Sequence, residues 1–179
     1  MPQLNYNLNP GAGYPGMVAE GREANVIISK LAHLAVPVGL LCAPGPDDEV
    51  GPALNAASAQ STNPGQVIAL PTGLVANPMV DSSWTGVPIY DSSRPPYDST
   101  NSYSDHDYVP VLIKGVIWVA VDSGTPVSQG PVYVRTAASG GLTTLGKFAA
   151  APGTGLVAFP RGTWMTGLVQ GNLAILQIW

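Results

Sequence analysis

Three short clusters in this chain carry residue types that can do chemistry. Gly11-Ala12-Gly13-Tyr14-Pro15-Gly16 matches G-x-G-x-x-G letter for letter. In a dinucleotide site that spacing follows a strand and opens a helix, so that backbone amides face a pyrophosphate. Here Asn7-Leu8-Asn9-Pro10 precedes it and Pro15 lies inside it. The expectation is therefore an extended arm, not a nucleotide site. Asp105-His106-Asp107 has the look of a metal triplet. Alternate residues of an extended segment point the same way, so Asp105 and Asp107 could share a cation while His106 points elsewhere. No second cluster lies near in sequence to complete a ligand shell, and a solvated acidic loop is expected. Asp47-Asp48-Glu49, in a Pro-rich stretch, reads the same way.

Other candidates for catalysis are few. The two histidines are His33 and His106. His33 falls in an apolar strand, where a core or interface histidine is expected. Ser-His-Asp chemistry needs an exposed nucleophile beside a base, and no nucleophile elbow is present. Paired carboxylates could come from residues 81–107, but nothing in their spacing favours a hydrolase. Cys42 ends the apolar run Val36 to Cys42 and reads as a buried thiol. A single cysteine excludes an internal disulfide and any multi-cysteine metal site. The chain is read as a non-enzyme, with no catalytic residue, no cofactor and no metal.

The totals narrow the class further. Of 179 residues, 45% are apolar and only 10% charged, against about 25% charged in a typical soluble domain. So thin a charge cover raises the expectation of protein partners. Lys and Arg total seven and are scattered, and the net charge is -4. No stretch can neutralise several phosphates, which argues against nucleic acid. No run reaches the roughly 18 apolar residues of a membrane helix. Met1 to Gly16 lacks the basic start and apolar core of a secretion signal. The expectation is a protein made and used in the cytoplasm, or one that leaves it by cell lysis.

The elements that must position these residues are short. Gly (21) and Pro (18) punctuate the chain every few residues, leaving few windows long enough for a helix and many short runs of Val, Ile, Leu and Tyr. That pattern predicts an all-β fold with many turns, a small antiparallel β-barrel or sandwich. Residues 1–24 read as an extended N-terminal arm in which Tyr6, Leu8, Tyr14 and Met17 are the apolar contacts. Residues 25–179 form the β domain, with a long irregular loop at 71–107. Val26 to Val36 is expected to be a strand with Val26, Ile28, Ala32, Leu34 and Val36 on one face. Val109 to Val121 is the strongest strand, with Val111, Ile113, Ile117, Val119 and Val121 on one face and Gly115 marking a bulge or bend. Further strands are expected at Gln66 to Leu70, Pro131 to Thr136, Leu145 to Ala149, Leu156 to Phe159 and Thr163 to Thr166. Leu173 to Trp179 alternates and is expected to sit inside a sheet. Trp84, Tyr90, Tyr97, Tyr103 and Tyr108 stand among Ser, Pro and Asp. They either form a contact surface or pack the loop onto its own domain.

The order of segments resembles the structural cement proteins of tailed bacteriophages, found as head decoration proteins. The polar arm ends in a Gly-rich stretch, here Gly11 to Gly16. An apolar strand with a break follows, here Val26-Ile27-Ile28-Ser29 and Val36-Pro37-Val38-Gly39. Val67-Ile68-Ala69-Leu70 comes next. The most specific elements are Val111 to Val121, with Lys114-Gly115 and Trp118-Val119, and Gly130 to Arg135. Leu145-Gly146-Lys147-Phe148 and Ala174 to Ile178 complete the series. Residues 71–107 depart from it, being longer than in many relatives. The resemblance implies a β-tulip-like barrel that binds the outer surface of the capsid and stabilises the major capsid protein lattice. It implies a homo-oligomer, with a trimer expected and a dimer as the alternative, and no catalysis. A virion-surface host-attachment module, whose Tyr- and Trp-rich loop binds glycan, is the rival reading.

Overall fold

A computed structural model of the chain describes residues 13–19, 25–44, 66–69, 84–90, 101–169 and 171–179. The strands are Val26–Ala32 (β1), Val36–Pro37 (β2), Cys42–Pro44 (β3), Gln66–Ala69 (β4), Val87–Pro88 (β5), Ser102–Tyr103 (β6), Tyr108–Ala120 (β7), Tyr133–Arg135 (β8), Phe148–Ala149 (β9), Leu156–Ala158 (β10), Gly162–Trp164 (β11) and Leu173–Ile178 (β12). No helix occurs among the described residues, and the fold is all-β as expected. The main sheet runs β11-β12-β7-β1-β4-β3, with β5 also on β7. Its path ends at β11 on one side and β3 on the other, so these strands do not close on themselves. A three-stranded sheet β10-β8-β9 and a two-stranded sheet β2-β6 complete the fold. All the paired strands are antiparallel save β1 and β4, which run parallel.

β7 is the spine. Its 13 residues are rich in Val and Ile, which fit a pleated sheet. The first half pairs with β1 and β5, the second with β12. The expected single apolar face is corrected here. Val109 and Val111, with Ile113 partly buried beside them, pack into a small core with Ala32, Val36, Val38, Cys42 and Tyr103. Ile117, Val119 and Val121 belong instead to the main core with Trp164, Phe148, Phe159 and Leu176, which Leu112 joins from the first half. The cause is Gly115. Between Val26↔Lys114 and Ile27↔Leu112 β7 carries one extra residue, a bulge that swaps its faces. Gly115 stands at φ +136, and a Cβ there would meet the Asn25 side chain. Glycine therefore makes the bend possible.

β12 is held between β11 and β7, as its alternation predicts, with Ala174, Leu176 and Ile178 facing the core. The Leu176 and Ile178 side chains each contribute on the order of 1.5–3 kcal/mol on burial, and the Ala174 methyl about 0.8 kcal/mol. β1 stops earlier than expected. Leu34 takes φ +64 in a turn and is exposed, so it leaves the face it was expected to share.

The small sheet hangs from the end of β7. Val121 bridges Phe148 in parallel, and Asp122 N–H donates to Phe148 O at 2.7 Å. Arg135 of β8 pairs with Asp122, both side chains being almost fully buried. Their alignment in the sequence gives no hint of this pairing.

Candidate functional site

The described part of the Gly-rich hexamer, residues 13–16, has a structural role. Residues 13–19, the described end of the arm, lie along the second half of β7. Gly16 N–H donates to Trp118 O (2.9 Å), Trp118 N–H to Met17 O (2.8 Å) and Ala19 N–H to Val116 O (2.9 Å). Val18 bridges Ile117 in the antiparallel sense and packs on the main core. This stretch takes the edge of β7 that β1 holds further along, because β12 occupies the other. Asn25 Oδ1 accepts from Val116 N–H at 3.1 Å and closes the junction between the two. The glycines are there for contact: a Cβ on Gly13 would come within 2.5 Å of the Trp118 ring, and Gly16 packs on Val38. Among the described residues no helix N-terminus follows Gly13 and Gly16, so these two form no phosphate cradle.

The expected contact residues separate. Of the arm set, Tyr6 and Leu8 lie outside the described residues, Met17 is half-buried and Tyr14 is exposed. Tyr14 meets Tyr90 edge to face, with centroids 4.7 Å apart. Of the loop set, Tyr97 lies outside the described residues. Trp84 is buried in the main core, edge-on to Phe159 at 5.0 Å. Tyr103 is buried in the small core, and its hydroxyl donates to Ile89 O at 2.8 Å. Tyr90 is half-buried. The rings of Trp84 and Tyr103 thus pack inside the chain and present no face to a partner. Tyr108, by contrast, is 65% exposed.

Asp105-His106-Asp107 forms a turn that clasps the turn after β1. Asp105 Oδ1 accepts from Leu34 N–H (2.8 Å), and Asp107 Oδ2 from Ser104 N–H (2.9 Å). His106 Nδ1 lies 3.0 Å from Asp105 Oδ2 at an exposed site. The carboxylates cap backbone amides, a common use of Asp in turns. Among the described residues no group of three or more His, Cys, Asp and Glu side chains is placed to hold a metal. Cys42 is buried, donates to Gly86 O at 3.1 Å, and has its pKa pushed up to about 12 by desolvation. At neutral pH it is a protonated core thiol and no nucleophile.

Two apolar surfaces escaped the sequence reading. One is the outer face of β7, β12 and β11. In register, Trp118 stands beside Ile175, Val116 beside Gln177 and Thr163, and Ala120 beside Leu173. Met165, whose N–H donates to Ile175 O, extends the Trp118–Ile175 row and is 43% exposed. The other is a pair of neighbouring loops, 123–130 and 165–169, tied by Gln129 N–H to Trp164 O. Val127, Leu168 and Val169 are exposed on it, and neither loop contains a charged residue. Alternation along β7 and β12 was the available signal for the first. Nothing local marks the second, because turn residues surround each apolar side chain.

Comparison with known proteins agrees with this architecture. No curated protein matches the chain. A chain in the solved capsid of Myoviridae phage XM1 has a similar fold. Its TM-score is 0.65 at 14% identity, covering 98% of this chain and 96% of that one. The family described as structural cement protein (E217 gp24/Pam3 gp6) matches over residues 1–178. By that match the chain belongs to the phage structural cement protein family and is a structural protein of the phage capsid.

Proposed function

We propose that this protein binds the outer surface of the phage head and stabilises the major capsid protein lattice. The observation that carries the reading is the family match along the whole chain. The physics supports it. Charge is sparse, and the loop pair 123–130 and 165–169 offers aliphatic side chains with no charge among them, as suits the dry centre of a protein contact. Many modest contacts repeated by symmetry add up to a strong hold on the shell. A homo-trimer is the expected form, with a dimer as the alternative.

The rival, a glycan-binding host-attachment module, loses part of its platform. Trp84 and Tyr103 are core residues and Tyr90 is half-buried. Quantitative mass spectrometry of purified virions separates the two. A copy number comparable with the major capsid protein is expected. A handful of copies per particle would overturn the lattice role and favour attachment.

A further inference from the structure

β7 does not run straight, because a circuit of backbone hydrogen bonds joins its two halves. In the second half, Gly16 N–H donates to Trp118 O (2.9 Å) and Trp118 N–H to Met17 O (2.8 Å). From the other side, Tyr90 N–H donates to Gly16 O (2.8 Å). One residue earlier, Ile89 N–H donates to Pro110 O (2.9 Å), in the first half. Three strand spacings, roughly 15 Å, therefore connect Pro110 with Trp118. In a straight strand the same stretch would cover about 26 Å. β7 must fold between them, and Gly115, at φ +136, is the residue free to do so.

Residues 13–19 are the link of this circuit that is least anchored. Gly13, Gly16 and Ala19 are buried but carry a methyl group at most. Val18 is partly buried, Met17 half-buried and Tyr14 exposed. The segment holds no charged residue, so no ion pair must break to free it. Its seat fits backbone alone: a Cβ on Gly16 would overlap Val38, and one on Gly39 would overlap Pro15. A segment held by a few backbone bonds and little apolar contact lies at the low end of local stability. Leu112 and Val87 share the main core with Ile117 and Val119, which keeps the halves of β7 together without this segment. Apolar contact is non-directional, however, and does not by itself set their angle.

We propose that residues 13–19 are a latch with a seated and a released state. Seated, they fix the angle between the two halves of β7. Released, they let Gly115 act as a hinge and the angle widen. The latch is the described end of the N-terminal arm, so a load on the arm reaches the bend through it. This inference does not depend on the capsid role.

Native-state hydrogen exchange of the full-length protein is the first test. The amides of Gly16, Ala19, Tyr90 and Trp118 all lie in latch bonds. They should exchange together in one local opening, while amides between β7 and β12 stay protected. Exchange of the four only on global unfolding, or each in an opening of its own, would overturn the latch. Pulsed electron resonance then reads the angle, with spin labels on Tyr108→Cys and Met165→Cys, both at exposed positions. Cys42 is buried and stays unlabelled. Adding Gly16→Val, or deleting residues 1–19, should lengthen and broaden the distance between the labels. An unchanged distance in the folded deletion variant would mean that the bend holds without the latch, and would overturn the proposal. Should neither variant fold, the exchange pattern of the unaltered chain decides alone.

Discussion

The two halves of β7 share one strand and one composition, yet they serve different cores. Residues before Gly115 send Val109 and Val111 to the small core with Cys42 and Tyr103. Residues after it send Ile117, Val119 and Val121 to the main core. The first half is flanked by β1, near the start of the chain, and β5, from its middle. The second is flanked by β12 and the residue 13–19 segment. One bulge is enough to reassign every side chain beyond it, because strand periodicity is two. A long apolar strand is thus two pieces of structural information joined at a glycine.

The largest effect is expected just past the second half. Arg135→Ala strands the Asp122 carboxylate in a buried site, and breaking a buried pair costs about 3–5 kcal/mol. Urea unfolding should show that loss. Since the pair holds the small sheet to the end of β7, proteolysis should begin within residues 123–160. Equal stability of the variant would mean the small sheet docks by packing alone. Gly115→Ala attacks the hinge itself. A side chain at φ +136, facing Asn25, should cost about 2–3 kcal/mol, seen as a lower melting temperature. If Asn25→Gly restores part of that loss, the contact between the two residues is its cause. Smallest is Tyr103→Phe, confined to the first half. Removing the hydroxyl that donates to Ile89 O should cost about 1 kcal/mol. Its amide-exchange signature should stay within residues 84–111 and leave β12 unchanged.

Much of this was legible in the residues. β7, β8 and β12 stand out through branched and alternating side chains, and the buried thiol of Cys42 follows from the apolar run around it. Gly115 was readable as a bend, but its consequence was not, since the bulge is defined by Asn25, 90 positions earlier. Trp84 and Tyr103 sit among Ser, Asp and Pro, which look like surface. Partners distant in sequence, Phe159 for Trp84 and Val36 for Tyr103, draw them inside. Asp122 read as a turn residue because nothing near it in the sequence announces Arg135. The Gly-rich hexamer read as part of an arm, and its last residue, Gly16, donates a sheet hydrogen bond to Trp118 O that nothing near it in the sequence announces. In each case the local pattern set the element, and a remote partner set its environment.

The way β7 gathers its neighbours also bears on how the molecule is made. Its second half takes one partner from residues 13–19 and the other from 173–178. These pairings span nearly the whole sequence, so relative contact order is high and folding is expected to be slow for the chain's size. During synthesis β7 must wait for β12 with an unpaired hydrophobic edge. That interval is when self-association of nascent copies competes with completion of the fold.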